Sequence, residues 1–486
     1  MTRSAWKKCN WKTKRDWRRP SFSKGRGLPK ASAFKSSRQR TCRELAVEIL
    51  LKVDRRNSYA DILLDHSLKE VSLAPRDRAL LTELVYGTLR WRGRIDWHLG
   101  LFLRRPLSRM SPYLRNLLRS SLYQILFLDK IPDYAAVNES VELAKRYGGA
   151  KAAALVNGVV RELLRKRDEI VFPDAQVYPV RYLSVFGSHP EWLVKRWRDY
   201  LGGEETAALL QANNEESPVV VRANALKVGR AELLEKFHRK EIDAAPTAFS
   251  PQGIRLKSAA AVDELPGWGE GLFQIQGEAS QLVAYLLGPE AGERVLDACA
   301  APGGKATHMA ELMRDRGEIV ATDVSVRGLE KLKENVQRLD LMSIRVCQAN
   351  VTEGLRGASA GPYDRILIDA PCTGLGTLRS HPEAKWRRRE EDIGRLSALQ
   401  RKIVERVSAY LKPGGVLVYA TCTLTHEENE GMVEGFLKDR ADLELEAAGD
   451  YLPQTAKGLS HGKYFLALPH RHDTDGFFAA RLRKAA

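Results

Sequence analysis

RVLDACAAPGGKATHMAELM, residues 294–313, runs from a short apolar segment through a loop of small residues into a helical pattern. A second apolar segment, EIVATD, follows at 318–323. Strand, tight loop, helix and strand in that order are the opening of a β-α-β unit. The small side chains let a ligand approach the backbone, and the helix start that follows favours negative charge. Twenty residues beyond Gly303 the second segment ends in Asp323. In an open α/β sheet an acid there accepts hydrogen bonds from the ribose hydroxyls of a nucleotide-like cofactor. IRVCQA (344–349), RILIDA (365–370) and GVLVYAT (415–421) continue the strands, with helical stretches such as RGLEKLKENVQRL between them. Residues 281–486 are therefore expected to form an α/β Rossmann-like domain with a parallel sheet and crossover helices.

The loop contains no G-x-G-x-x-G, and Lys305 is followed by Ala306 rather than Ser or Thr. Both absences disfavour a dinucleotide or ATP and leave S-adenosylmethionine as the common alternative. Two cysteines fall at strand ends, Cys372 after RILIDAP and Cys422 after GVLVYAT. Ligands of such sheets bind outside the carboxyl ends of the strands, so both thiols are expected in one cleft beside the cofactor. A pair of this kind suits methylation of a pyrimidine at C5. A thiolate adding at C6 makes C5 nucleophilic, and a base then removes the C5 proton as the thiolate leaves. Asp369, if protonated, could stabilise the adduct from the ring N3 side. Exocyclic amine methylation typically uses an Asn/Asp-Pro-Pro-aromatic loop, and Asp-Ala-Pro-Cys stands there instead.

Towards the N-terminus the pattern becomes helical. Leu45, Ile49, Leu50 and Val53 share a face, as do Leu114, Leu117, Leu118 and Leu122, and then Val156, Val159, Val160 and Leu163. Residues 41–170 are expected to be an all-α domain. Residues 171–280 are expected to hold a Gly-, Pro- and acid-rich linker and a small α+β module built from VVVRAN, GRAELLEKFHRK, IRLKS and LFQIQ.

The chain has 486 residues and a formal net charge of +17. The excess is local. Residues 1–40 hold 14 Lys/Arg against Asp16, and residues 90–119 hold eight arginines against Asp96. The remainder carries 56 bases and 59 acids. Residues 1–40 read as a disordered basic arm whose Trp6, Trp11 and Trp17 suit base stacking. An organellar transit peptide or an upstream translation start are the other readings of that arm. The arginine block suits phosphate, so RNA is the expected partner. No apolar run approaches the roughly 18 residues of a membrane span. Six cysteines without C-x-x-C spacing disfavour a disulfide scaffold or zinc cluster, so no metal is expected and a reducing, cytoplasmic setting is.

LDACAAPGGKATHMAELM, IDAPCTGLGTLRSHPEAKWRR, LVYATCTLTHEENE and the terminal DGFFAARL resemble the RNA cytosine-C5 methyltransferase (RsmB/NOP/NSUN) family. The helical residues 41–167 resemble the antitermination factor NusB. The resemblance implies a class I methyltransferase domain paired with an RNA-binding fold, acting on small-subunit (16S) ribosomal RNA. It implies Cys422 as nucleophile and Cys372 as the residue that helps release product. Cys299, Ala300, Ala301, Pro302, Gly303, Gly304 and Lys305 would hold the methionine and ribose parts of S-adenosylmethionine. Asp323 would hold the ribose, and Asp369 would stand between cofactor and target base. Asn350 replaces an Asp common in the family near the adenine; its side-chain oxygen still offers the adenine amino group an acceptor. DNA cytosine methyltransferases use a P-C nucleophile, which would point to Cys372; SHPEAKW and the second thiol favour the RNA family. A monomer without an obligate protein partner is expected. The alternatives are a non-catalytic RNA-binding or antitermination-type factor, and C5 methylation of another RNA such as tRNA.

Overall fold

A computed structural model describes residues 40–56, 58–257 and 262–486, so the basic arm lies outside the described residues except for Arg40. Residues Cys42–Ala486 form one compact unit. Six helices open it: α1 (Cys42–Arg56), α2 (Ala60–Glu70), α3 (Pro75–Arg90), α4 (Arg92–Phe102), α5 (Pro112–Phe127) and α6 (Asp133–Lys166). Pro75 and Pro112 occupy first-turn positions, where the missing N–H costs nothing. The apolar faces read from the sequence meet in one core of Leu45, Ile49, Leu84, Leu118, Val156 and Val160.

The stretch expected as a linker is instead helical: α7 (Pro179–Phe186), α8 (Glu191–Leu201) and α9 (Gly203–Ala212). Leu193, Val194, Trp197, Leu209 and Leu210 are buried in the same core as the large C-terminal sheet. Trp197 Nε1 also donates to the Leu424 carbonyl at 3.0 Å. The Pro and Gly residues that suggested a linker stand at the ends of these short helices, where both are favoured.

The small module follows as β1 (Val219–Ala223), α10 (Arg230–His238), β2 (Ala244–Pro246), β3 (Gly253–Leu256) and β4 (Phe273–Ile275), a sheet ordered β2-β3-β1-β4. Arg222 of β1 is fully buried and reaches into the next domain. After α11 (Glu278–Leu287) and β5 (Arg294–Asp297) comes α12 (Gly304–Leu312). Arg222 donates to both carboxylate oxygens of Glu311 on that helix, at 3.1 and 2.6 Å, and to the Gly304 carbonyl at 2.9 Å.

The large domain continues through β6 (Glu318–Asp323), α13 (Val326–Leu339), β7 (Ile344–Gln348), β8 (Tyr363–Asp369), α14 (Ala384–Arg387), α15 (Glu391–Ser408), β9 (Leu411–Thr421) and α16 (Glu430–Lys438). It ends in β10 (Leu443–Glu446), β11 (Ser460–His461), β12 (Tyr464–Ala467), α17 (Pro469–His472) and β13 (Phe477–Lys484). The sheet order is β11-β12-β13-β9-β8-β5-β6-β7, with β10 also on β13. The five strands expected from the sequence are the parallel part, β7 to β9. The sheet is nevertheless mixed, because β13 returns antiparallel beside β9 and carries β10 and β12.

SHPEAKW, residues 380–386, joins the helical domain to the large C-terminal one. Lys385 is fully buried, and its ammonium donates to the carbonyls of Arg90 and Ser188 and to Asn214 Oδ1 at 2.6 Å. Trp386 Nε1 donates to the Leu89 carbonyl at 2.6 Å. The arginine block is partly spent on this architecture, which corrects the expectation that it faces RNA as a whole. Arg92 and Arg115 pair with Asp54 at 3.1 and 3.2 Å, Arg119 with Asp96 at 2.7 Å, and Arg90 is buried. Arg94 lies over the rings of Trp91, Phe127, Phe172 and Phe186. Arg104, Arg105 and Arg109 are exposed and form no ion pair among the described residues.

The Arg222–Glu311 pair gives the first expected outcome. Arg222→Ala leaves a buried carboxylate without its cation, a loss of about 3–5 kcal/mol in unfolding free energy. Replacing both partners together, Arg222→Met with Glu311→Leu, recovers much of that loss. Denaturant unfolding of the three chains checks the order.

Candidate active site

Strand β5 leads to β6 on one side, while β8 lies on its other side, so the sheet's topological switch point falls between β5 and β8. The loop Cys299–Lys305 leaves β5 at that point. Gly303 holds φ +104° there, and a Cβ would lie 2.8 Å from Leu332 Cγ, so glycine is required both by conformation and by space. The Asp323 carboxylate, at the end of β6, accepts from Ala301 N at 3.1 Å and Ser325 N at 2.8 Å. Ala300 lies in the buried cluster beneath the loop, and Pro302 accepts from Asn335 through its carbonyl. The chain thus folds a narrow backbone cradle with an acid at its rim, which fits a ribose-bearing cofactor.

Cys372 and Cys422 do share one cleft, with their sulfur atoms 3.4 Å apart. The hydrogen bond to Cys422, and then burial, hold the Cys372 thiol well above the ordinary range. Either sulfur can donate in that contact. Burial and the surrounding acids likewise push the Cys299 thiol up, so that sulfur stays inert. Lys305 donates to Asp369 Oδ2 at 2.6 Å and sits 4.9 Å from the centre of the Phe477 ring. From the sequence, Asp369, if protonated, is expected on the ring N3 side; in the fold one of its oxygens is taken by the Lys305 ammonium.

Asn350 also differs from expectation. Its Oδ1 accepts from Thr352 N at 3.2 Å and Thr352 Oγ1 at 2.8 Å, and its Nδ2 donates to Glu353 at 2.6 Å. Both lone pairs of the acceptor meant for an adenine amino group are used within its own turn.

Sequence reasoning missed Glu428. This carboxylate is fully buried. It accepts from Thr373 N at 2.9 Å, Thr373 Oγ1 at 2.5 Å, Thr425 Oγ1 at 2.8 Å and Gln400 Nε2 at 3.0 Å. It thereby ties the loop after Cys372 to the loop after Cys422. Asn429 adds to the clamp by accepting from Thr421 Oγ1 at 2.6 Å and donating to the Thr423 carbonyl at 3.0 Å. The one visible signal was the acid run HEENE directly after the T-C pair. Arg388 supports the other loop, donating to the carbonyls of Thr373 at 2.7 Å and Cys372 at 3.4 Å. Gly376 N donates to the Cys422 carbonyl at 3.0 Å, and a Cβ on Gly376 would meet the Gly476 carbonyl at 2.2 Å.

Asp297, at the end of β5, was also passed over. It is buried, and neither carboxylate oxygen has a hydrogen-bond partner among the described residues. Burial and then the neighbouring Asp369 raise it to about 8, against the opposing pull of Lys305.

Comparison with known proteins follows the same division of the chain. Residues 284–483 match the model for 16S rRNA methyltransferase RsmB/F, residues 40–165 the NusB family, and residues 189–263 the RsmF/B-like ferredoxin-like domain. The chain is 36% identical, over 91% of its length and 98% of the relative's, to "Probable ribosomal RNA small subunit methyltransferase B" of Bacillus subtilis. Among solved structures, PH0851 superposes with a TM-score of 0.79 at 26% identity, covering 92% of this chain and all of that one. NSun6 from Pyrococcus horikoshii with SFG superposes with a TM-score of 0.55 at 25% identity, over 61% of this chain and 98% of that one.

Asp297 carries a pH signature. Between the ordinary carboxyl pKa of about 4 and its folded value of about 8, the folded chain holds one proton more than the unfolded chain. Its contribution to stability therefore falls as pH rises through that window. Asp297→Asn removes this dependence. The melting temperature of the Asn variant, relative to the parent, is expected to rise from pH 5 to pH 8.5 in calorimetric scans. Parallel curves would show that Asp297 titrates normally.

Proposed function

The chain belongs to the 16S rRNA methyltransferase RsmB/F family, and we propose that it transfers a methyl group from S-adenosylmethionine to C5 of a cytosine in small-subunit ribosomal RNA. The observation that carries this reading is the pair of thiols 3.4 Å apart at the carboxyl ends of neighbouring strands, beside the Gly303 loop. Cys422 is the nucleophile: its sulfur adds to C6 of the cytosine, and the electron pair released makes C5 nucleophilic. S-adenosylmethionine, held by 299–305 and Asp323, supplies the electrophilic methyl group. Loss of the C5 proton restores the double bond and expels the Cys422 thiolate.

The thiol of Cys372 supports both halves of this cycle. Before attack it stands in hydrogen-bond contact with the Cys422 sulfur, 3.4 Å away. Afterwards it stands within reach of the sulfur that must leave. Lys305, fixed between Asp369 and Phe477, places one positive charge beside the ring that becomes electron-rich in the adduct. Asn350 acts by shaping its turn rather than by a direct bond to adenine.

The NusB-like helices serve as the RNA-docking part, through the exposed Arg104, Arg105 and Arg109 rather than the whole block. No helix among the described residues is long and apolar enough to cross a membrane. A cytoplasmic location, where ribosomal subunits are transcribed and assembled, follows from the proposed substrate.

Cys422→Ala is expected to abolish both methylation and the covalent protein–RNA adduct. Cys372→Ala is expected to accumulate that adduct as a slow band in a denaturing gel with small-subunit RNA. Exchange of the two phenotypes would transfer the nucleophile to Cys372.

A further inference from the structure

A cavity of about 230 Å³ opens between the small module and the catalytic domain, beside the cysteine cleft but outside the cofactor cradle. Thr247 and Arg255 line it from the small module; Glu278, Arg379, Asp473 and Asp475 line it from the large domain. Asp475 directly precedes Gly476, whose N–H donates to the Gly376 carbonyl at 2.7 Å, while Gly376 holds the Cys422 carbonyl. Phe477, which meets Lys305 in the active site, is two residues beyond Asp475. Asp475 and Phe477 are thus at most about 7 Å apart along the chain, which puts the cavity wall next to a residue of the active site.

The charges of the lining are already allotted, with one exception. Asp473 accepts from Arg379 at 2.8 Å and from Arg255 at 2.5 Å, which neutralises half of the positive charge. Glu278 accepts from the backbone N–H groups of Phe249 and Ser250. His472 uses Nδ1 to accept from Leu468 N. The half-buried Asp475 carboxylate receives no hydrogen bond among the described residues. With three carboxylates against two guanidinium groups, the cavity disfavours a phosphate. It offers an acceptor pair to a neutral group that carries two adjacent N–H donors.

Resting on the methylation reading above, we propose that this cavity seats the nucleobase next to the target cytosine and selects guanine through Asp475. Guanine alone among the four bases presents two neighbouring donors, N1–H and N2–H, on its Watson–Crick edge, and an ionised carboxylate accepts both. Adenine and cytosine set one amino donor beside a ring acceptor, which would face the carboxylate with repulsion. Uracil presents one donor between two carbonyls. The small module then closes the second wall of a reading pocket. Burial pushes the Asp475 carboxyl up, and the neighbouring His381 and Arg379 oppose that shift.

The test uses the full chain, S-adenosylmethionine and a randomised single-stranded RNA library with one fixed 5-fluorocytidine. Fluorine at C5 cannot leave as a proton does, so the Cys422–RNA adduct persists and the trapped RNA can be sequenced. Guanine is expected to be enriched about tenfold at one fixed position flanking the cytosine, the scale of one bidentate base contact. Asp475→Asn should erase that enrichment while S-adenosylmethionine binding by calorimetry stays unchanged, which shows that the variant is folded. Trapped RNA without guanine enrichment, enrichment of adenine or cytosine, or a guanine preference that survives in Asp475→Asn would each overturn the subsite alone. No trapped RNA with the parent chain would overturn the methylation reading, and the subsite with it.

Discussion

A single buried carboxylate holds the catalytic arrangement together. Glu428 has no cation beside it among the described residues; four N–H and O–H donors from two loops and from α15 satisfy it instead. A buried carboxyl group is tolerated only while such donors are in place, because each lost bond leaves a buried polar atom unsatisfied. That constraint is what brings the segments after β8 and β9 to a fixed separation, and so sets the two sulfur atoms 3.4 Å apart. Asn429, Arg388 and the Gly376–Gly476 approach then remove the remaining freedom of the same loops.

Around that clamp the chain uses buried hydrogen-bonding side chains repeatedly to weld its parts. Arg222 with Glu311 fastens the small module to the helix that carries the cofactor loop. Lys385 fastens the helical domain to the segment that follows Cys372, since its ammonium meets carbonyls from α3 and from the turn after α7. Each is costly to bury unless fully paired, so each specifies one arrangement of domains and penalises others. The arginine-rich stretch at 90–119 belongs partly to this scheme: Asp54 and Asp96 draw Arg92, Arg115 and Arg119 inward, which leaves a smaller basic surface than the charge count implies.

Much of this was legible in the linear order of residues. Five strands, the loop from Cys299 to Lys305, Asp323 and two strand-end cysteines follow from periodicities of two and of 3.6, and from the rule that such sheets bind ligands at their carboxyl ends. What was misread has a common cause. Residues 168–217 look like a linker because Gly, Pro and acids mark short helix ends as well as loops; burial of Trp197 and Leu209 against another domain has no local signature. Asn350 looks like a free acceptor until its turn closes on Thr352. Asp369 looks like a candidate neutral acid until Lys305 arrives from a loop 64 residues away in sequence.

The sequence by itself determined the five parallel strands, the small-residue loop after the first of them and the two strand-end cysteines, because these depend on residue type and on spacing within one segment. Only the tertiary structure decided that the two sulfurs touch, which arginines face solvent, and that Glu428, Asp297 and Asp475 matter at all. Those properties depend on burial and on partners from distant segments. A carboxylate in HEENE becomes a clamp, an exposed ion-pair partner or a tyrosine's acceptor according to what folds against it. Glu428, Glu427 and Glu430 do each of these in turn.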